Sequence, residues 1–362
     1  MSFITGLILI DAPASALNNA PQEEGARTGN VVPVKQIKTR IGSFPYVSAQ
    51  AFRYWLRTTL ENNPELGWKS SPVFREQKIA YPDANPIEYW DDDLFGYMRA
   101  PSKKTEAVEA RKADKNRSSE TQTTTEITRV SPFRVSTFVS IAPGSIVDDF
   151  GTMSRHNGDP VPHEHEFYRA ILKGIFSLDL KSAGTFSYRD KSGFKNLDDV
   201  RKNLAQEKGL ELLEHEMSYR LPLKERRKRI RALLTGISTI YGGAKQALHY
   251  TDVTPSVLIA MITKGGNNPL QYIVGADSRG LLSINTNSVE EMVKVWGDKI
   301  ASRLYIGWVQ GFYDEEREKL RKKLEEISIN YPVFKYFMDH PRNSISELIT
   351  DLEKEENKSW LE

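Results

Sequence analysis

The apolar run "FITGLILI", Phe3 to Ile10, predicts a central strand covered on at least one face. Residues 12 to 45 follow as a long excursion rich in Pro, Asn, Gly and Ala, within which "VVPVKQIKTRIG" is β-prone. Ser48 then reads as an N-cap. Phe52, Trp55, Leu56 and Leu60 recur at three- and four-residue spacing, so a helix is expected from about Ser48 to Asn62. From Pro64 to about Thr128 the pattern fades, first into prolines, aromatics and acids and then into an almost wholly polar tract. Such a tract holds little core, and its second half is expected to be mobile or ordered only by a partner.

Alternation returns near Phe133 to Ile141 and again in "HEHEFYRAILKGIFSLDL", each a strand. The link between them, "GSIVDDFGTMSRHNGDPVP", is too long for a tight hairpin turn. Residues 182 to 221 read as a polar, helix-leaning insertion. In the next helix Leu223, Ile230, Leu233, Leu234 and Ile237 share one stripe, and Gly242-Gly243 supplies a stop. "TPSVLIAMIT" is a further buried strand, and the C-terminal 80 residues read as helical. The core order is strand, helix, strand, strand, helix, strand. That is the α+β, ferredoxin-like (RRM-like) βαββαβ arrangement, although the RNP aromatic consensus is missing. A superfold of this kind hosts many functions, so order alone assigns none.

Charge narrows the picture. The net charge is +2, with 27% charged residues, so any electrostatic footprint for a nucleic acid must be local. Cysteine is absent, which excludes disulfides and thiolate metal sites and fits a reducing compartment. The opening segment has no basic stretch before its apolar run, and that run is too short for a bilayer span, so a soluble, cytoplasmic protein is expected.

Three local features carry chemistry. Gln50, Arg53 and Arg57 line a helix face beside the apolar one, with roughly 5–6 Å between successive Cβ atoms. The helix N-terminus next to them suits phosphate, which Arg binds bidentately. Lys35, Lys38 and Arg40 lie just upstream, and Glu23 and Glu24 are the only carboxylates between Pro13 and Thr59. The simpler alternative is a solvated helix face. Next come Lys224, Arg226, Arg227, Lys228, Arg229 and Arg231, which read as the wet side of their helix ahead of a nucleic-acid face. The loop after them, "YGGAKQALHY", offers Lys245 and Gln246 beside glycines that allow close backbone approach. Finally, Phe150, Met153 and Arg155 stand amid Gly and Asp in the long link. Apolar residues there can wedge between bases or stack under them, or else anchor the link back to the body.

Catalytic patterns are weak. His163 and His165 would share one strand face, but no third ligand stands out, so a polar edge strand is expected ahead of a zinc pair. There is no GxSxG, Walker A or HExxH motif. Asp91, Asp92 and Asp93 read as an acidic run that solvates a loop or contacts a partner.

Together, Leu17-Asn18, the basic Lys35 to Arg40 strand, "VSAQAFRYWLR" and "GGAKQALHYTDVTPS" resemble the CRISPR-associated DevR autoregulator family, the guide-threading backbone subunits of type I Cascade within the RAMP superfamily. The resemblance implies a hand-shaped subunit. Its palm would comprise residues 1–63, 129–142 and 167–275, the last with an insertion at 182–221. A fingers insertion would fill 64–128, a thumb hairpin 143–166 and a helical extension 276–362. It implies several copies polymerised along a CRISPR guide RNA whose bases stay free to pair with target DNA. The other expected partners are the large subunit, the subunit capping the guide's 5′ end and the processing ribonuclease. Asn18, Lys35, Lys38, Arg40, Ser48, Gln50, Arg53, Arg57, Lys245 and Gln246 become guide contacts, and Phe150, Met153 and Arg155 the thumb. No cofactor, metal or membrane is implied. RNA-cutting relatives place an aspartate in the excursion after the first strand. Ala12 to Gly42 has none, so no nuclease activity is expected. Two other readings stay open: an RNA-processing endoribonuclease using His156, His163 or His249, and a stand-alone regulator that binds DNA or messenger RNA.

Overall fold

A computed structural model describes residues 1–21, 31–76, 79–102, 108–109, 111, 113–114 and 117–362. Glu23, Glu24 and much of the 103–116 tract lie outside the described residues. The main sheet contains β1 (Ser2–Ser15), β2 (Gln36–Thr39), β3 (Gly42–Val47), β4 (Phe138–Ser140), β5 (Ile146–Met153), β6 (Val161–Asp179), β7 (Val257–Lys264), β8 (Leu304–Trp308) and β9 (Tyr336–Asp339). Across the sheet the order is β9-β8-β7-β1-β6-β4-β3-β2, with β5, Val31–Val32 and Phe133–Val135 also paired to β6. The helices are α1 (Ala49–Glu61), α2 (Trp90–Phe95), α3 (Asp199–Glu207), α4 (Leu223–Ser238), α5 (Thr286–Trp296), α6 (Asp314–Asn330) and α7 (Pro341–Glu353).

The continuous apolar run of β1 is explained by burial on both faces. Ile4, Ile8 and Ile10 join α1, α4 and α7 in one core, while Leu7 and Leu9 join α5 and α6 in a second. Each of these side chains is fully buried, worth about 1.5–3 kcal/mol apiece. β1 pairs antiparallel with β6 on one side and β7 on the other, Leu7 facing both Ile175 and Ile259. Gly6 sits opposite Phe176, and a Cβ there would come 2.1 Å from the Phe176 ring. On the helical face, Gly236 of α4 lets Leu60 of α1 approach, since an added Cβ would lie 2.6 Å from it.

Several expectations are corrected. The 182–221 segment is not mainly helical: Thr185–Ser187, Ser218–Arg220 and Glu211–Leu213 form a three-stranded sheet packed on α3. Its small core, Phe186, Leu197, Ala205, Leu210, Tyr219 and Leu221 with Ile87, is too sparse to show as a period. The C-terminal 80 residues are not wholly helical either. β8 and β9 extend the main sheet there, and Val274–Ala276 pairs with Leu282–Ile284 just before α5. The 133–141 strand is broken into Phe133–Val135 and β4. Residues 117–128, expected to be mobile or ordered only by a partner, are held by polar bonds. Thr121 bonds Asp83, Thr124 bonds Asp198, and the fully buried Arg201 donates to the carbonyls of Asp83, Ala84 and Gln122. Hydrogen bonding replaces apolar burial in this region, so a hydrophobicity scan misses it.

Candidate nucleic-acid interface

Asn18 organises one corner of the molecule. Its side-chain oxygen accepts the Ser48 amide at 3.0 Å, and its carbonyl accepts the Lys35 amide at 2.9 Å. Ser48 caps α1 by accepting from the Ala51 amide at 3.3 Å. The Gly242–Gln246 loop closes over the same corner, with the Ala244 amide on the Leu17 carbonyl. Gly242 has φ of 148°, and a Cβ on it would strike the Trp55 ring at 2.6 Å, so only glycine fits there. The structure therefore brings Asn18, Lys35, Ser48 and Lys245 together. Lys38 and Arg40 sit exposed on the adjoining β2–β3 hairpin, and Gln50 is exposed on α1. Among the described residues, Lys35, Arg40 and Lys245 form no ion pair with a carboxylate.

Arg53, Gln246 and Arg57 of the expected set are engaged within the fold. Arg53 donates to the carbonyls of Phe95 and Phe133 and to the Ser131 hydroxyl, at 2.5, 3.2 and 3.3 Å, clamping α1 to the end of α2. Burial, helped by Arg57, lowers its guanidinium to about 10. Gln246 spends its amide nitrogen on the Gly242 carbonyl and its oxygen on the Thr251 amide, so it staples its own loop. Arg57 lies over the Phe95 ring at 4.3 Å. Its guanidinium is lowered by burial, an effect opposed by Asp91, Asp92 and Glu61.

The second basic cluster is also corrected. Arg226 and Arg229 are each 2% exposed, the reverse of a wet helix side. Arg226 donates to the carbonyls of Ala183, Leu180 and Leu361. Arg229 bonds Pro86, Ile87 and Asp93. Arg227 and Arg231 pair with Glu355 and Glu353 near the C-terminus. Nor does the acidic run solvate a loop: Asp91, Asp92 and Asp93 are buried. Asp93 accepts from Arg129, Arg229 and the Gly184 amide, tying α2, α4 and the Thr185–Ser187 strand together.

Asp92 gives a testable consequence. Its Oδ2 accepts from the Ser71 hydroxyl and the Asn85 amide, both at 2.8 Å. Burial, reinforced by Asp91, nevertheless pushes its carboxyl up to about 7. A carboxyl raised by folding favours the folded state while protonated, and that advantage fades as pH rises from the unfolded value near 4 toward about 7. Asp92→Asn keeps the acceptor and removes the charge. Relative to the parent, it should gain roughly 1–3 kcal/mol between about pH 5 and about pH 8, read from urea unfolding midpoints.

The long link proves to be a hairpin of its own. β5 and β6 pair from Ile146↔Tyr168 to Met153↔Val161, joined by residues 154–160. Phe150 and Met153 are 64% and 52% exposed, and Arg155 is exposed, so they do not anchor the link to the body. The hairpin root meets the Lys245 loop: Lys245 Nζ lies 3.0 Å from His165 Nδ1. The sequence showed His163 and His165 on one strand face but gave no sign that Lys245, 80 positions away, meets them. Only the tertiary fold joins them. Among the described residues no group of three His, Asp or Glu side chains could hold a metal ion, and no helix is long and apolar enough to cross a membrane.

Residues 10–278 match the family model described as "CRISPR-associated negative auto-regulator DevR/Csa2". A chain of a "CRISPR RNA-guided surveillance complex, pre-nicking" superposes with a TM-score of 0.50 at 11% identity, covering 96% of this chain and 99% of that one. A chain of a "CRISPR RNA-guided surveillance complex" gives 0.49 at 12% identity, covering 96% and 98%. At 11% identity the match at a TM-score of 0.50 is a likeness of α+β fold alone. No curated protein matches. The matched span takes in the Asn18 corner, α1, the exposed hairpin and the Lys245 loop, and the chain belongs to the CRISPR-associated DevR/Csa2 family.

Proposed function

We propose that this protein is a non-catalytic backbone subunit of a Cascade-type effector complex, several copies of which line a CRISPR guide RNA and leave its bases available to target DNA. On this reading β7-β1-β6-β4 with α1 and α4 is a ferredoxin-like palm. The hairpin of residues 146–168 acts as its thumb. Neighbouring copies and the other Cascade subunits would cover the remaining faces. The observation that carries the reading is the pair Phe150 and Met153, held out in solvent on the β5–β6 hairpin, whose His165 touches Lys245. Apolar side chains on such a projection suit insertion between the bases of a strand whose phosphates lie on Lys35, Arg40 and Lys245.

Fluorescence anisotropy with a single-stranded oligouridylate tests it. Phe150→Ala with Met153→Ala should weaken binding by about 1–3 kcal/mol, roughly ten- to a hundredfold, without lowering the unfolding midpoint. Unchanged affinity would remove the thumb assignment. Specific cleavage of the RNA, lost on substitution of His163 or His249, would favour an endoribonuclease instead.

A further inference from the structure

One face of β6 carries histidines that the scaffold reading leaves unused, beside its Lys245 contact. The His163 and His165 rings lie 4.9 Å apart on one face of β6. Gly151 opposite His163 leaves room for its ring, since a Cβ there would come 2.6 Å from the imidazole. Lys245 reaches across to His165 Nδ1 from a left-handed backbone conformation, φ 57°. The Leu248 and His249 amides both bond its carbonyl, at 3.0 and 2.8 Å. A non-glycine residue rarely adopts that conformation and persists in it where its surroundings fix it. His249 stacks on Phe167 at 5.1 Å, and its buried Nε2 has no hydrogen-bond partner.

We propose that Lys245, His163 and His165, backed by His249, form an anion site that takes one phosphodiester of a bound single strand, and that binding there takes up a proton. The proposal rests on the RNA-scaffold reading above and adds residues and a pH dependence to it. Its chemistry follows from the Lys245–His165 contact. A lysine ammonium has only donors, so His165 must present an unprotonated Nδ1 to it. Protonating that ring ends the bond and sets two cations side by side, an arrangement that an anion between them would relieve.

The surroundings agree in sign. Burial, then Lys245, His163 and His249, hold the His165 imidazole below its usual range. Asp149, its cross-strand neighbour on β5, opposes them. On its other side His165 pairs with uncharged Val32, while Glu164 and Glu166 point to the opposite face of β6, where Glu166 accepts the Val34 amide. Once His165 is protonated, it and Lys245 outnumber the one facing carboxylate. An arriving phosphate raises the imidazole pKa, so a proton enters with it and affinity rises as pH falls through the midpoint of the RNA-bound ring.

The test measures oligouridylate affinity by anisotropy at about pH 8 and about pH 5.5 at fixed salt. It also measures the His165 ring titration by NMR with and without RNA. Affinity should rise about tenfold toward acid, since one proton gives at most about tenfold per pH unit. RNA should lift the His165 midpoint by about one unit. His165→Asn, which keeps an acceptor for Lys245, should lose the acid gain. An undiminished gain in that variant, or a His165 midpoint indifferent to RNA, overturns the site while leaving the scaffold reading intact. Absence of RNA binding at both pH values overturns both.

Discussion

Asp93→Ala should cost the protein about 3–5 kcal/mol of stability, visible as a large drop in the urea midpoint. Asp93 sits between two guanidiniums that are each almost wholly buried, bonding Arg129 at 2.5 Å and Arg229 at 2.7 Å. Removing the carboxylate leaves two cations in a medium that solvates charge poorly, and it also frees the Gly184 amide. The pair is not itself a large source of stability, because desolvation offsets much of the attraction. The penalty arises from breaking it on one side only. Since Asp93 joins α2 to α4 and to the three-stranded sheet, the loss should loosen the 64–128 and 182–221 insertions together. A change below about 1 kcal/mol would mean that the network relaxes or hydrates, contrary to the packing described here.

The other large effect concerns binding. Lys35→Ala, Arg40→Ala and Lys245→Ala combined should weaken single-stranded RNA binding by about 3 kcal/mol, near a hundredfold, at moderate salt. These three side chains are chosen because none has a carboxylate partner among the described residues. Arg53, the most conspicuous arginine of α1, is the wrong choice: its donors already serve Phe95, Ser131 and Phe133, and its loss should register as instability.

Arg53 also shows where sequence reading stops. Helical spacing placed it beside the apolar stripe of α1, and it does sit there. Spacing says nothing of what packs against that edge, and here it is α2, whose Phe95 ring lies under both arginines. Arg226 and Arg229 repeat the lesson, because a long side chain on a "polar" helix face can be swallowed by an insertion folded over it. β1, α1, α4 and β7 were legible because their apolar periods are long and each faces a full core. The 182–221 sheet and β8 were not. Strands of three to five residues flanked by helices leave too few positions for a period to emerge. The 146–168 hairpin was half visible: its exposed apolar residues could be named, but its meeting with Lys245 depends on contacts 80 positions apart.

The central claim is that the Asn18 corner and the Lys245 loop hold a sugar-phosphate chain without regard to its bases. The slope of log affinity against log salt tests this most directly, compared between the parent and the triple variant on oligouridylate and oligoadenylate. Each phosphate contact on a single strand contributes about 0.7 to that slope, so three lost contacts should flatten it by about 2 on both sequences. An unchanged slope, or a loss confined to one sequence, would contradict the account.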